Sequence, residues 1–285
     1  RHRGMDYKDI AVLYRANFQS RVIEETFSQH KIPYHIQNGM NFYTRPEIKH
    51  LLDYLRVISA PDSDEGNEAL LNVLNIPNRY ISRKFTQELE EFSNKRKVFL
   101  YNGLKEIGID LPYVRKNVKE FISFIDPLID YSGNLSPAEA ISILRTNLDY
   151  DRYITDEDIP SPDDVKIQNL NQLQISATRY SDIKSFLEYT DTFQEETVND
   201  DKEGVSLMTI HKAKGLEFPV VFVIGLVEGI IPSKKGDVEE ERRIAFVAIS
   251  RAMKLLYLSY SRSFLGQPCK KSIFLDEIMG VRRPE

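Results

Sequence analysis

At 285 residues, 41% hydrophobic and 28% charged, the chain has the balance of a globular protein with one large or two ordinary domains, not of a disordered or fibrous one. Its net charge of −5 is no nucleic-acid footprint by itself, and no apolar run approaches a membrane span. The single cysteine, Cys269, excludes an internal disulfide framework and agrees with a reducing compartment, and the scattered histidines suggest no metal site.

The chain opens Arg-His-Arg-Gly without an initiator methionine and reads as a fragment, with no signal-peptide pattern before its first strand. Ile10–Tyr14 is a short buried strand running into Arg15. Asn17 suits the N-cap of a helix carrying Phe18, Val22, Ile23 and Phe27 at helical spacing. Tyr34–Gln37 is the next strand, and strand–helix–strand in so short a span implies parallel pairing. A turn at Asn38-Gly39 leads to Thr44-Arg45-Pro46-Glu47, read as a capping box with proline early in the helix. That helix buries Ile48, Leu51, Leu52, Leu55 and Ile58, and a shorter one follows at about Asn67–Leu74.

From residue 79 to 195 the pattern is amphipathic and helical, with no convincing strand. Ser136-Pro137-Ala138-Glu139 is a capping box, and Ser161-Pro162-Asp163-Asp164 opens a helix expected to run to about Gln194. Residues 78–202 hold 16 Lys/Arg against 23 Asp/Glu, so the acidity of the chain is concentrated there. The acidic stretch 195–204 is a linker, after which Val205–Ile210 resumes the sheet. His211-Lys212-Ala213-Lys214-Gly215-Leu216-Glu217 packs four ionisable groups and a glycine between two strands, since Val220–Ile224 is apolar throughout and belongs to a sheet covered on both faces. Residues 239–252 form a helix with acids in its first turn and Arg251 in its last. Arg243, Val247 and Arg251 share one face, and an arginine on so apolar a helix needs a partner; a phosphate would serve.

The segments TIHKAKGLEFPVVFVIGL and EEERRIAFVAISRA resemble motifs V and VI of the UvrD/Rep/PcrA helicases, superfamily-one 3′-to-5′ DNA translocases. LYRANFQSRVIEETF and NFYTRPEIKHLLDYLRVI are similar to motifs IV and IVa. The resemblance implies an α/β fold: a RecA-like parallel-sheet motor domain (2A, residues 1–77 and 203–285) interrupted by an all-α insertion (2B, residues 78–202). It implies that Arg251 and Arg15 reach the ATP γ-phosphate, that Tyr14 stacks on adenine, and that Glu217, with Gly215, lies by the ribose. It further implies DNA contacts at Thr209, His211 and Lys214, and from the loop and helix start at Asn38, Gly39 and Arg45. Lys212 reads as solvated, and Arg242 and Arg243 as partners of Glu239 or other acids. Where many relatives carry a Gly-Ile-Gly turn that grips duplex DNA, this chain has Tyr80-Ile81-Ser82, which puts duplex contact there in doubt.

No glycine is followed by lysine, so the phosphate loop that phosphoryl transfer needs is not in this sequence. ATP and Mg²⁺ are therefore expected to meet the chain only beside missing N-terminal domains 1A and 1B, and the fragment alone is expected to be inactive. The partners implied are single-stranded DNA and single-strand/duplex junctions, with a repair or replication protein as a further partner through the insertion, and no membrane. The location implied is the bacterial cytosol, at the nucleoid. Two alternatives stand beside the helicase reading: the motor half of a helicase–nuclease, and a degenerate paralogue that only binds DNA or protein.

Overall fold

Short β-branched runs and longer amphipathic ones separate cleanly along the chain, and the computed structural model follows them over residues 4–37, 40–161, 164–196, 203–234, 236–264 and 267–280. In chain order the elements begin with β1 (Ile10–Tyr14), α1 (Ser20–Gln29) and β2 (Tyr34–Ile36). Helices α2 (Pro46–Ser59), α3 (Asp64–Val73), α4 (Arg83–Arg96), α5 (Leu100–Glu106), α6 (Pro112–Tyr131), α7 (Pro137–Asn147), α8 (Tyr150–Thr155), α9 (Val165–Ala177) and α10 (Ile183–Glu196) follow. Then come β3 (Val205–Thr209), β4 (Phe218–Val223), α11 (Val238–Ile249), β5 (Ala252–Leu258), the short pair β6 (Ser263–Phe264) and β7 (Gln267–Pro268), and α12 (Ile273–Ile278).

The chain divides into two compact units, residues 1–42 with 193–285, and residues 43–192. The first holds a five-stranded sheet in the order β2-β3-β1-β4-β5, every neighbouring pair parallel. Alternation along β1 sends Ala11 and Leu13 to a core with Met208, Val221, Val223, Ala245 and Ala248. Val12 and Tyr14 go to the opposite face with Val205 and Leu207, where Ile23 and Phe27 of α1 pack. Parallel strands covered on both faces read as unbroken apolar runs, which is why β3 and β4 stand out in the sequence.

Several expectations are corrected. Val22 is exposed, not inward, because a 3-10 turn at Asn17–Gln19 precedes α1 and the sheet-facing stripe runs through Ile23 and Phe27. Helix α2 starts at Pro46 with Arg45 as its N-cap residue, so Thr44 does not open a capping box; the fixed φ of proline suits the first helical position. The helix expected to reach Gln194 is two helices, broken at residues 178–182, where the Asp182 carboxylate accepts a hydrogen bond from Ser185 N (2.8 Å) and starts α10 afresh. The edge strand β5 was not foreseen, since it pairs on one side only and Met253, Lys254, Leu256 and Tyr257 are exposed, which blurs its alternation. Residues 38 and 39 lie outside the described residues.

Unit boundaries also fall elsewhere than the motif-based ones at 77/78 and 202/203. Helix α2 buries Ile48, Leu51, Leu52, Leu55 and Ile58 and packs with α3, α6, α7 and α9, so by contact it belongs to the helical unit. Within that unit the turn after α3 is organised by Arg79. Its Nη1 donates to the carbonyls of Val73 (3.2 Å), Leu74 (3.2 Å), Ile76 (2.7 Å) and Pro77 (3.3 Å), its Nη2 donates to Tyr54 Oη (2.8 Å), and the guanidinium lies over Phe121 at 5.0 Å. Burial pushes the Tyr54 phenol up to about 12, although the adjacent Arg79 pulls the other way. Next to it Tyr80 takes a left-handed conformation (φ +56°) with its ring 72% exposed, at a position where glycine would be unstrained.

Candidate functional site

Strand ends and the helix that follows β4 set the site in the sheet-bearing unit. Thr209 ends β3, and the chain then coils through residues 210–216 before entering β4. Backbone bonds that close the coil include Ala213 N to Thr209 O (3.2 Å), Lys212 N to Thr209 O (3.0 Å) and Leu216 N to Ala213 O (3.0 Å). Ala213 is fully buried in the core, which pins the loop, while His211, Lys212, Lys214, Gly215 and Glu217 face outward. Gly215 sits at φ +85° with nothing within 4 Å of where a Cβ would lie, so the glycine answers a backbone requirement and not a shortage of space. Lys212 Nζ donates to Gln37 O (3.2 Å), tying this loop to the end of β2.

Arg251 lies just past the Ser250 C-cap of α11, not in the last turn of the helix as expected, because the chain turns there into β5, and it is bound to that same loop. Its Nη1 donates to Leu216 O (3.0 Å), its Nε to Val247 O (3.0 Å) and its Nη2 to Ser250 Oγ (2.9 Å). Its own carbonyl accepts from Phe218 N (2.9 Å), so main chain and side chain of Arg251 grip the loop on either side of Glu217. Five fixed donors on a planar fork allow an arginine to hold such a set and still present N–H groups outward.

Arg15 lies at the other end of α11. Its Nη2 donates to Glu241 Oε1 at 2.7 Å, and its Nε lies 3.3 and 3.2 Å from the two oxygens of that carboxylate. Gln19 Oε1 accepts from both Arg15 N and Ala16 N (3.0 Å each), fixing the turn that follows β1. Helix α11 is capped by Asp237, whose carboxylate accepts from Glu240 N (3.1 Å). Glu241, which holds Arg15, and Val247, which accepts from Arg251, are six positions apart on α11, roughly 9 Å along its axis at the helical rise per residue. Between them Phe246 is 65% exposed.

Two other expected site residues, Tyr14 and Arg45, are buried. Tyr14 is 1% exposed and packs with Val12, Val205 and Leu207. Arg45 is buried in the helical unit, where its Nη1 donates to Asn169 Oδ1 (2.8 Å). Arg242 pairs with Glu239, as expected, and also with Glu277 (2.9 Å). The structure thus joins Arg251 to the loop bearing Gly215 and Glu217, and Arg15 to α11. Residue type alone singles out neither Glu241 nor Gln19. Glu241 was one of three consecutive acids suited to a helix start, and only its phase within α11, one turn in and inward, singles it out.

A parallel five-stranded sheet with apolar cores on both faces is the arrangement of a RecA-like α/β domain, and comparison with known proteins gives the class. The family described as the UvrD-like helicase C-terminal domain matches residues 1–263. The chain belongs to that family. It is 34% identical to the ATP-dependent DNA helicase Rep of Buchnera aphidicola subsp. Acyrthosiphon pisum, over 93% of this chain and 44% of that protein. It is 34% identical to Rep of Escherichia coli over 88% of the chain and 40% of that protein. Against the ATP-dependent DNA helicase PcrA of Staphylococcus aureus the figures are 32%, 96% and 40%. The chain therefore spans less than half the length of these relatives.

Proposed function

We propose that this chain is the C-terminal motor half of an ATP-dependent 3′-to-5′ DNA helicase, working on MgATP together with an N-terminal half that carries the phosphate loop and the metal-binding carboxylates. The observation that carries the reading is the pair Arg15 and Arg251, anchored at the two ends of one helix by this chain's own acceptors. Phosphoryl transfer asks little covalent chemistry of a protein and much electrostatic stabilisation of charge on the transferred group, which arginines on a second domain can supply. Glu217 and Gly215 stand next to Arg251 and are proposed at the ribose. Tyr14 is kept for the base on the resemblance alone, since its ring is packed in the core, and Arg45 and the Asn38-Gly39 turn are kept for DNA on the same ground. Exposed His211 and Lys214, with Thr209 behind them, are proposed to meet single-stranded DNA.

Because Arg251 bonds the loop that carries these residues, DNA and nucleotide would act on one connected piece of backbone. The motif-based domains, residues 1–77 with 203–285 and residues 78–202, are proposed as the functional division. The cytosol is the proposed location, with single-strand/duplex junctions and a repair or replication protein as partners. The test compares the purified chain with the full-length protein in an ATPase assay with and without single-stranded DNA. The chain alone is expected to show no turnover above background, and the full-length protein DNA-stimulated turnover. DNA-stimulated hydrolysis by the chain alone would refute the reading.

A further inference from the structure

Glu241 has a role that the helicase reading does not by itself assign. Its carboxylate is 1% exposed, yet its partner Arg15 is 25% exposed at the side chain, so a buried acid holds a cation that reaches the surface. The acid is also built in. Its Oε2 accepts from Ser233 N (3.1 Å), and a Cβ on Gly236 would fall 2.7 Å from its Oε1, so the loop before α11 is shaped around this carboxylate. On the opposite side Gln19 fixes the backbone from which Arg15 projects.

A buried ion pair gains little net stability, because desolvation offsets much of the Coulomb attraction. What this pair does provide is direction. Glu241 occupies the Nε–Nη2 edge of the guanidinium, and Nη1 makes no hydrogen bond among the described residues. A planar fork held by one edge presents the other in a fixed orientation. We infer that Glu241 is the positioning residue for Arg15, holding the guanidinium from behind so that its Nη1 side meets a nucleotide phosphate. The inference rests on the reading of Arg15 as a phosphate ligand. Glu241 touches no substrate and acts only through Arg15.

The experiment is a double-mutant cycle in the full-length protein: Glu241→Gln, Arg15→Gln and the two combined, with kcat and KM for ATP at saturating single-stranded DNA and Tm for each. Glutamine at 241 keeps the volume and an acceptor for Ser233 N but loses the charged, two-oxygen grip. Misplacing a catalytic group by about 1 Å costs about 100-fold, so Glu241→Gln is expected to lower kcat by about 10- to 100-fold with KM within about threefold. The double variant is expected to be no slower than Arg15→Gln by more than about twofold, because residues acting through one another are not additive. Wild-type turnover in Glu241→Gln, or losses that multiply in the double variant, would overturn the inference. Should Glu241→Gln melt below the assay temperature, Glu241→Asp keeps the charge and only shortens the arm. Reduced kcat at a near-wild-type Tm would then support positioning, and wild-type turnover would overturn it. If Arg15→Gln itself keeps wild-type turnover, the phosphate reading of Arg15 fails and the inference with it; loss in Arg15→Gln but none at position 241 refutes the positioning alone.

Discussion

Gly215 shows how much one residue's backbone can decide. A left-handed conformation costs a residue with a Cβ roughly 1–2 kcal/mol, and the φ of +85° at Gly215 comes with open space around the Cβ position. Gly215→Ala should therefore loosen the loop from Lys214 to Glu217 without disturbing the core, and Gly215→Asn should be milder, because asparagine tolerates this region better. The measurement is single-stranded DNA affinity of the full-length protein, with the alanine variant weaker than the asparagine one. Equal affinities for both and for wild type would remove the loop from the DNA contact. At this scale the place of the loop between β3 and β4 was legible, because glycine and charged side chains between apolar strands carry their own signal. The anchoring of Arg251 was not, because two of its three acceptors are backbone carbonyls, which leave no trace in residue type.

Helix starts tell a similar story among the elements. Ser136 and Glu139 form the reciprocal cap that their spacing predicted: Ser136 Oγ accepts from Glu139 N (3.3 Å), and Glu139 Oε2 accepts from Ser136 N (3.1 Å). The Ser136 hydroxyl and N–H hold the Glu139 carboxyl below its ordinary value. A carboxylate depressed by folding contributes above its unfolded pKa and stops contributing as pH falls through its folded one. Ser136→Ala should cost about 0.5–2 kcal/mol of stability at neutral pH, and less in acid once Glu139 is protonated. Urea unfolding at the two pH values reads this out, and an equal cost at both would detach the carboxylate from the cap.

Arg79 is the opposite case. Nothing in its residue type foretold that its guanidinium holds the carbonyls of the turn after α3. Arg79→Ala is accordingly expected to destabilise the helical unit by more than the roughly 0.5 kcal/mol typical of surface changes. Differential melting of the chain measures it, and an unchanged Tm would return Arg79 to the surface.

For the whole molecule, the charge distribution bears on which surface meets duplex DNA. Residues 78–202 carry the acidity of the chain, and several of their cations are already engaged: Arg79 in its turn, Lys84 with Glu88 (3.6 Å), and Arg96 with Glu106 (3.8 Å). DNA affinity rests on phosphates neutralised by Lys and Arg and falls steeply with salt when many are. Replacing Arg83 and Lys84 by alanine in the full chain should thus leave duplex binding and its salt slope between about 50 and 200 mM unchanged. A shallower slope would show that this acidic segment grips duplex after all. The alternation of strand and helix made the parallel sheet readable from sequence. Where the compact units divide was not readable, because the stripe on α2 that suits a motor-domain helix is the same stripe that packs on α3, α7 and α9.

Arg251 carries the central claim, and its substitution in the full-length protein tests it most directly. Arginines that stabilise a transferring γ-phosphate are worth roughly 10³–10⁵ in rate. Arg251→Ala should cut single-turnover ATP hydrolysis by a factor in that range while ATP affinity, measured separately, changes only a few-fold. Arg251→Lys should not restore the rate, because a point charge lacks the planar fork. Hydrolysis by Arg251→Ala within a few-fold of wild type, at unchanged Tm, would contradict the account.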